Sequence, residues 1–428
     1  MRKFFALALV AVMMLALVAC GGGNDPANTG DSVATDNTTD NTSVSTDATT
    51  DATPVADDNF KIGFIFLHDE NSTYDLNFIN AAREAQAALG LSDDQVIFKT
   101  NIPESNECYE AALDLVDRGC TVIFADSFGH ESYMLQAARE NPDVQFCHAT
   151  GTMAHTEGLA NFHNAFASIY EGRYLAGIAA GLKLNEMIAA NKFKAEDAKI
   201  GYVGAFTYAE VISGYTSFFL GARSVCPTAT MEVQFTGSWY DETAEKEAAT
   251  TLISRGCKLI SQHADSMGAP TACETAGVPN VSYNGSTVAA CPNTFIVSSR
   301  INWAPYFEYI VNCAKSGEAI AADWTGTLAT GSVELSEINA KAAAEGTQAA
   351  IDAAKAKLES GELHVFDTAA FTVGGETITS YLADVDTDAN YEKDTEVVAD
   401  GYFHESEKRS APYFDLDIDG ITKLNAAY

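Results

Sequence analysis

Polar and aromatic side chains recur in this 428-residue sequence at the points where short apolar runs end. These segments cover residues 68–75, 126–130, 205–208, 238–241, 262–266, 283–285 and 300–303. Aromatic rings can stack on a flat ligand ring, while carboxyl, amide and hydroxyl groups can read its hydroxyls and ring nitrogens. A single aromatic side chain more often packs in a core than contacts a ligand. The repetition at successive run ends therefore favours a binding site for a small polar molecule.

A catalytic interpretation of the same segments has less support. Residues 125–129, Ala-Asp-Ser-Phe-Gly, imitate the Gly-x-Ser-x-Gly nucleophile elbow of α/β hydrolases, with Ser127 at the nucleophile position. The first glycine, which relieves crowding at that strained turn, is missing. No histidine follows in the usual late position with a plausible acid partner; His263 with Asp265 is a weak substitute. We therefore predict that the protein is not an enzyme.

Signals for a metal or a cofactor are equally weak. His130 and Glu131 are adjacent, but they lack the His-Glu-x-x-His spacing and a nearby third ligand. Gly201 and Gly204 are followed by aromatic residues rather than by the Gly-Lys-Ser/Thr of a phosphate-binding loop. We expect neither a cofactor nor a metal ion.

The elements that must position these segments alternate between strand and helix. Apolar runs predict strands at residues 61–67, 95–99, 121–125 and 144–148, with helical stretches between them. A long helix at residues 170–184 follows, and residues 199–204 repeat the Lys-Ile-Gly that opens residues 61–67. Strands separated by single helices imply right-handed βαβ units. The pattern predicts an α/β protein with two Rossmann-like lobes, whose ligand lies at the carboxyl ends of the strands.

The N-terminus predicts export and a lipid anchor. Arg2 and Lys3 precede an apolar run, residues 4–18, that is too short for an ordinary membrane span. Leu-Val-Ala-Cys at residues 17–20 resembles the lipobox of bacterial lipoproteins, so we expect residues 1–19 to be a signal peptide and Cys20 to be lipidated. Residues 20–58 then form a disordered tether rich in Thr, Asp and Asn. The expected location is the extracytoplasmic face of the cell membrane, held by the acyl chains.

The net charge of the chain limits the kinds of molecule that it is expected to bind. The formal net charge is −34, and only eight of the 59 acidic residues lie in residues 24–58. A body this acidic repels nucleic acid and anionic headgroups, so we expect no nucleic-acid partner. Cys20 aside, eight cysteines remain, and none forms a Cys-x-x-Cys pair. Most stand among apolar residues, which favours buried free thiols.

Three motifs carry a family resemblance. Residues 170–177 (Tyr-Glu-Gly-Arg-Tyr-Leu-Ala-Gly), 202–206 (Tyr-Val-Gly-Ala-Phe) and 245–249 (Glu-Lys-Glu-Ala-Ala) are similar to the basic membrane protein family of lipoproteins. That family comprises the substrate-binding subunits of ABC transporters for purine nucleosides and nucleobases, built on the type I periplasmic-binding fold. The resemblance implies a hinge between the lobes, a central ligand cleft and a membrane permease as partner. A sugar-binding or sensory lipoprotein of the same fold is the alternative.

The resemblance also implies roles for individual residues. Tyr74 falls where the family stacks an aromatic ring on the purine, and Asp75 where it reads the base or ribose. Asn284 falls where nucleoside binders tend to have an aspartate, and Arg300 near their lysine. Gly214 falls where they often have a second stacking phenylalanine, so another aromatic residue must supply that face. The expected ligand-binding residues are Tyr74, Asp75, Ser127, Phe128, Phe206, Trp239, Asp265, Asn284, Arg300 and Trp303.

The body is long enough for two cores, and we divide it accordingly. We assign residues 59–161 and 284–299 to lobe 1, and residues 162–283 and 300–370 to lobe 2. Residues 371–428 form a C-terminal extension packed on the body, with a hairpin near residues 371–378. Ligand-driven closure of the two lobes about the hinge is the expected mechanism.

Overall fold

A computed structural model describes residues 59–388 and 390–427. The expected signal peptide, Cys20 and the tether lie outside the described residues. Within the described part, no helix is both long enough and apolar enough to span a bilayer.

The first sheet has six strands, all parallel, in the order β11-β5-β4-β3-β1-β2. The strands are β1 Ile62–Ile65, β2 Val96–Lys99, β3 Val122–Ala125, β4 Gln145–Ala149, β5 Phe162–Ala167 and β11 Asp323–Gly326. β1 and β3 are buried at every residue, as expected for central strands covered on both faces. The helices of this lobe are α1 Thr73–Ala88, α2 Asn106–Asp117, α3 Glu131–Glu140, α4 Ala154–Glu157 and α9 Ala304–Ser316. A short 3-10 turn, Phe128–His130, precedes α3.

The second sheet has seven strands in the order β12-β10-β9-β8-β6-β7-β17. The strands are β6 Lys199–Gly204, β7 Thr230–Phe235, β8 Leu259–His263, β9 Asn280–Tyr283, β10 Phe295–Ile301, β12 Val333–Leu335 and β17 Ile421–Lys423. Only β12 runs antiparallel to its neighbour. The helices are α5 Ile169–Ala189, α6 Ala209–Val225, α7 Glu242–Ser254, α8 Gly268–Ala276 and α10 Thr347–Glu359. The two parallel α/β lobes confirm the predicted fold class.

Three segments lie in the other lobe from the one assigned by sequence. Phe162–Ala167 pairs with β4 in the first sheet, although residues from 162 onward were assigned to lobe 2. Phe295–Ile301 pairs with β9 in the second sheet, although residues 284–299 were assigned to lobe 1. α9 and β11 belong to the first lobe, within residues 300–370 that were assigned to lobe 2. The sheet to which a strand belongs depends on the distant strand with which it forms hydrogen bonds. The local sequence does not predict which strand that is.

The chain passes between the lobes three times, after β5, β10 and β11. Backbone hydrogen bonds hold the crossing segments side by side: Ser168 N donates to Gly326 O at 2.8 Å, and Asn302 N donates to Ser332 O at 2.8 Å. Three adjacent crossings connect the two sheets, the arrangement found at the hinge of two-lobed proteins.

Glycines bring α5 and α6 into close contact in the second lobe. A Cβ built on Gly177 would lie 2.0 Å from the backbone oxygen of Phe218, and one on Gly221 would lie 2.0 Å from that of Tyr174. Any side chain at either position would therefore push the helices apart. The glycine that ends the motif at residues 170–177 thus has a packing function.

The C-terminal extension touches both lobes. Ser410 N donates to Asp323 Oδ2 at 2.7 Å in the first lobe. Asn425 exchanges two hydrogen bonds with the backbone of Phe235 in the second lobe, at 2.8 and 2.9 Å. The expected hairpin is a tight turn with one bridge, between Val373 and Glu376. The short strands of the extension are β13 Leu382–Ala383, β14 Thr395–Glu396, β15 Val398–Ala399 and β16 Tyr402–Phe403. All eight cysteines that follow Cys20 are buried free thiols, as expected.

Candidate ligand-binding site

A cavity lies between the two lobes at the carboxyl ends of their strands. It encloses about 310 Å³ of space between atoms, including the part open to solvent. The first lobe contributes Leu67, Tyr74, Ser127, Phe128 and Thr150, and the second contributes Glu210, Trp239, His263 and Asp265. This is the edge where ligands of doubly wound sheets bind, because the loops that follow parallel strands all emerge there.

Three aromatic residues from the two lobes line the cavity. The Tyr74 ring packs edge-on against Phe78 at 4.8 Å, and its hydroxyl donates to the backbone oxygen of Asp126 at 2.8 Å. Trp239 is held by the edge of Phe206, with ring centroids 5.0 Å apart. Phe128 is the most exposed of the three, at 39%. The Tyr74 and Trp239 rings are thus fixed by packing before any ligand arrives.

Direct contacts join the lobes across the cleft. Thr73 N, at the start of α1, donates to the backbone oxygen of Asp265 at 2.9 Å. Phe128 meets Tyr208 of the second lobe with ring centroids 5.2 Å apart. A cleft bridged by a backbone hydrogen bond and a ring contact is closed, which explains why the cavity is small.

The charged groups that line the cavity are acidic. Asp265 is 4% exposed, and burial together with the nearby carboxyls Asp75 and Glu245 raises its pKa well above the usual range. Beneath the cavity, Asp126 is fully buried beside Asp75, and burial followed by that neighbouring charge raises the pKa of Asp126. None of the nine residues found to line the cavity is lysine or arginine. The lining therefore offers carboxyl groups to a polar ligand and no Lys or Arg to a ligand's negative charge.

Glu210 and His263 form a pair in the wall of the second lobe. His263 Nε2 lies 3.4 Å from Glu210 Oε1. Burial, with a smaller contribution from the positive charge of Arg173, lowers the pKa of His263 to about 4. The imidazole is therefore neutral near pH 7. His263 is the last residue of β8 and Glu210 lies in the first turn of α6. The sequence analysis considered His263 only as a weak catalytic base and did not consider Glu210.

Five of the ten expected ligand-binding residues line the cavity: Tyr74, Ser127, Phe128, Trp239 and Asp265. Phe206 lies directly behind Trp239. Asp75 is buried and accepts hydrogen bonds from His68 N at 2.7 Å and Ser72 Oγ at 2.6 Å. Its carboxylate thus holds the first turn of α1, while Ser72 caps that helix. Leu67 and Thr150 also line the cavity, and neither was among the expected residues.

The other three expected residues lie elsewhere. Trp303 is fully buried and stacks on Phe78 at 4.6 Å, so its ring belongs to the first lobe's core. Arg300 forms an ion pair with Glu334 at 2.5 Å near a crossing segment. Asn284 has a positive φ of 63°, and its backbone N–H donates to Ser299 O at 2.8 Å. None of these three side chains is among those lining the cavity.

The serine of the elbow-like segment has no base beside it in the described structure. Ser127 Oγ donates to Glu104 Oε1 at 2.6 Å. The nearby His148 Nε2 lies 2.7 Å from the backbone oxygen of Ser127, not from its hydroxyl. His263 pairs with Glu210 rather than with Asp265. A Ser-His-acid arrangement around Ser127 is therefore not assembled by these residues.

Comparisons with known proteins identify the family. A family model described as ABC transporter substrate-binding protein PnrA-like matches residues 92–365. A purine-binding protein of Brucella abortus is 30% identical over 255 residues, covering 59% of this chain and 68% of that protein. A putative ABC transporter glucose-binding protein of Haloferax volcanii is 34% identical over 216 residues, covering 50% of this chain and only 51% of the relative.

Solved structures show the same fold. An ABC transporter solute-binding protein from Conexibacter woesei superposes with a TM-score of 0.58 at 21% identity, covering 71% of this chain and 98% of that one. At this level of identity the similarity shows the fold that the two chains share.

Proposed function

The chain belongs to the Bmp family of PnrA-like ABC transporter substrate-binding proteins, and on that premise we propose that its ligand is a purine nucleobase or nucleoside. The protein closes around the ligand and presents the closed form to its permease. We further propose that Cys20 carries the lipid anchor that keeps the protein at the outer face of the membrane.

The observation that carries the proposal is the composition of the cavity. Tyr74 and Phe128 from one lobe and Trp239 from the other offer faces or edges to a flat ring. Glu210 and Asp265 supply polar groups for the nitrogens and hydroxyls of that ring and its sugar. A purine combines a flat aromatic body with several polar atoms on its rim, which matches this pattern.

Charge and volume narrow the ligand further. The two acidic side chains, without a basic residue among those found in the lining, disfavour the phosphate of a nucleotide. The cavity is lined by only nine residues, and its space of about 310 Å³, including the part open to solvent, suits a small metabolite rather than an oligomer. An uncharged base or nucleoside therefore fits better than a nucleotide.

A sugar is the second candidate, because the relative from Haloferax volcanii is named as a glucose-binding protein. Sugar sites also combine aromatic rings with carboxylates, so the cavity alone does not separate the two ligand classes. Direct binding measurements do.

The test is a melting-temperature screen of the purified protein against adenine, adenosine, guanosine, inosine, AMP, riboflavin and glucose. A ligand present at about 100 times its Kd stabilises the folded state by about 2.7 kcal/mol. We expect bases or nucleosides to raise the melting temperature, AMP to have a much smaller effect, and calorimetry to confirm one site per chain. Stabilisation by glucose alone would disprove the purine assignment and support the sugar-binding alternative.

A further inference from the structure

The Glu210–His263 pair has an orientation that constrains the ligand. His263 is 2% exposed, and its Nδ1 has no hydrogen-bond partner within the described structure. Its Nε2 faces the Glu210 carboxylate at 3.4 Å, the long end of hydrogen-bonding distance. A proton on Nε2 is the tautomer that lets the neutral ring donate to Glu210 Oε1, since an ionised carboxylate only accepts. The contact involves one of the two carboxylate oxygens of Glu210.

The imidazole is held in place by its surroundings. The ring centroids of Tyr283 and His263 are 4.7 Å apart. The guanidinium of Arg173 lies over the Tyr283 ring, 3.4 Å from its centroid. Arg173 is 1% exposed and donates from Nη1 to Gln262 O at 3.1 Å. The buried positive charge opposes protonation of His263. His263 is therefore a fixed, neutral donor to Glu210.

Helix α6 leaves the space that this arrangement needs. A Cβ on Gly214 would lie 2.9 Å from His263 Nδ1 and 3.6 Å from Arg173 Nε. Sequence resemblance places a stacking phenylalanine at this position in other nucleoside binders. In this chain the imidazole occupies the space next to Gly214, so the second lobe presents a carboxylate–imidazole pair there rather than an additional ring.

Resting on the proposed function, we propose that Glu210, positioned by His263, accepts a hydrogen bond from an exocyclic amino group of the bound purine. The site then prefers amino-substituted purines to analogues that lack the amino group. Glu210 is a specificity-determining residue that contacts the ligand, and His263 is a positioning residue that acts through it.

The ligand side of this contact must be a donor. The remaining acceptor capacity of Glu210 faces the cavity, where its side chain is 10% exposed. A ring carbonyl opposite it would bring two acceptors together, and a hydrogen atom in place of the amino group would leave the cavity-facing part of the carboxylate without a donor from the ligand. Losing a hydrogen bond to a charged group corresponds to about a 10- to 100-fold loss of affinity.

The experiment compares two ligand pairs that differ by one amino group: adenosine with purine riboside, and guanosine with inosine. Affinities are measured by calorimetry for the wild type and for Glu210→Gln. We expect the wild type to prefer the amino member of at least one pair by about 10- to 100-fold, and Glu210→Gln to reduce that preference to about threefold or less. Glu247→Gln, which removes a charge from the exposed face of α7, is the matched control and keeps the wild-type preference.

Two variants test the positioning role of His263. His263→Gln keeps a side-chain N–H donor and is expected to retain most of the amino preference. His263→Phe keeps a ring but lacks the donor, and we expect it to lose the preference. Melting temperatures without ligand establish that each variant folds, so a change in selectivity is separated from loss of structure.

The outcomes distinguish the two proposals. If the wild type binds no purine, the proposed function fails and this inference fails with it. If it binds both members of each pair equally, or if Glu210→Gln keeps the wild-type preference, the amino-group contact is wrong while the purine-binding function stands.

Discussion

At the scale of single residues, the same side-chain types serve binding in one place and packing in another. Tyr74 lines the cavity, whereas Trp303, which sequence reasoning grouped with it, is fully buried against Phe78. Asp265 faces the cavity, whereas Asp75 accepts hydrogen bonds from the loop that precedes α1. Residue type therefore indicates what a side chain is able to do, and its position on an element decides whether it contacts a ligand.

Tyr74 provides the first test at this scale. Replacing it with alanine removes the ring, and stacking of a base on an aromatic ring contributes about 1 to 3 kcal/mol. We therefore expect Tyr74→Ala to weaken ligand binding by about 5- to 150-fold, measured by calorimetry.

Tyr74→Phe is the control for that variant. It keeps the ring and loses only the hydroxyl that donates to Asp126 O at 2.8 Å, so most of the affinity remains. Equal affinity in the wild type and in Tyr74→Ala would remove Tyr74 from the binding site.

At the scale of elements, strand ends and helix starts bring the cavity together. Each strand of a parallel sheet delivers its following loop to the same edge, so β3 supplies Ser127 and β8 supplies Asp265. Helix α6 packs closely on α5, and its Gly214 faces the His263 ring. A change within α6 is therefore expected to affect the site without touching the ligand.

Gly214→Ala tests that dependence. Its Cβ would stand 2.9 Å from His263 Nδ1, closer than side-chain carbons normally approach, so the imidazole must shift away. Overpacking of this kind costs about 1 to 3 kcal/mol, and the shift also displaces Glu210. We expect a lower melting temperature and weaker ligand binding.

Gly285→Ala is the matched control for this test. Its Cβ would meet Thr73 at 3.7 Å, an ordinary contact, so little change in stability is expected. If Gly214→Ala bound ligand as tightly as the wild type, the space beside His263 would not be needed.

At the scale of the whole molecule, the C-terminal extension connects the two lobes outside the hinge. Ser410 bonds to Asp323 of β11, while β17 adds a parallel strand to the edge of β7. Glu405 holds the intervening turn, because its Oε2 accepts from the backbone N–H groups of Tyr413 at 3.1 Å and Phe414 at 2.9 Å. The extension is thus a structural part of the body rather than an appendage of one lobe.

Ionisation of Glu405 gives the extension a pH dependence. Burial raises the pKa of Glu405 from 4.5 to about 7. Because the folded pKa is raised, the contribution of this group to stability is fully present below pH 4.5 and is lost as the pH rises to about 7. Glu405→Gln stays neutral at every pH. We expect the free energy of unfolding of Glu405→Gln to equal that of the wild type at about pH 4.5. At pH 8 we expect it to exceed the wild-type value by about 1 to 3 kcal/mol.

Chemical denaturation of both proteins at the two pH values measures this difference. Glu392→Gln, an exposed position of the same extension, is the control and should follow the wild type at both pH values. A constant difference between Glu405→Gln and the wild type would show that Glu405 does not titrate in this range.

The amino-acid sequence by itself determined the element types, the two successive α/β halves and the sheet edge at which the candidate ligand-binding side chains lie. These features follow from local information: apolar runs, helical periodicity and the loops after each strand. Five of the residues expected to bind the ligand, Tyr74, Ser127, Phe128, Trp239 and Asp265, line the cavity. Tyr74 was predicted from the family resemblance, and the other four lie in segments that follow predicted strands.

Only the tertiary structure decided which strands share a sheet and which polar groups meet. Phe162–Ala167 and Phe295–Ile301 lie in the other lobe from the one predicted, because strand pairing depends on residues far apart in the sequence. Glu210 and His263 are 53 positions apart, and they meet only because α6 follows β6 beside β8. Local sequence patterns do not predict contacts between residues this far apart in the sequence, because such contacts form only when the whole lobe is packed.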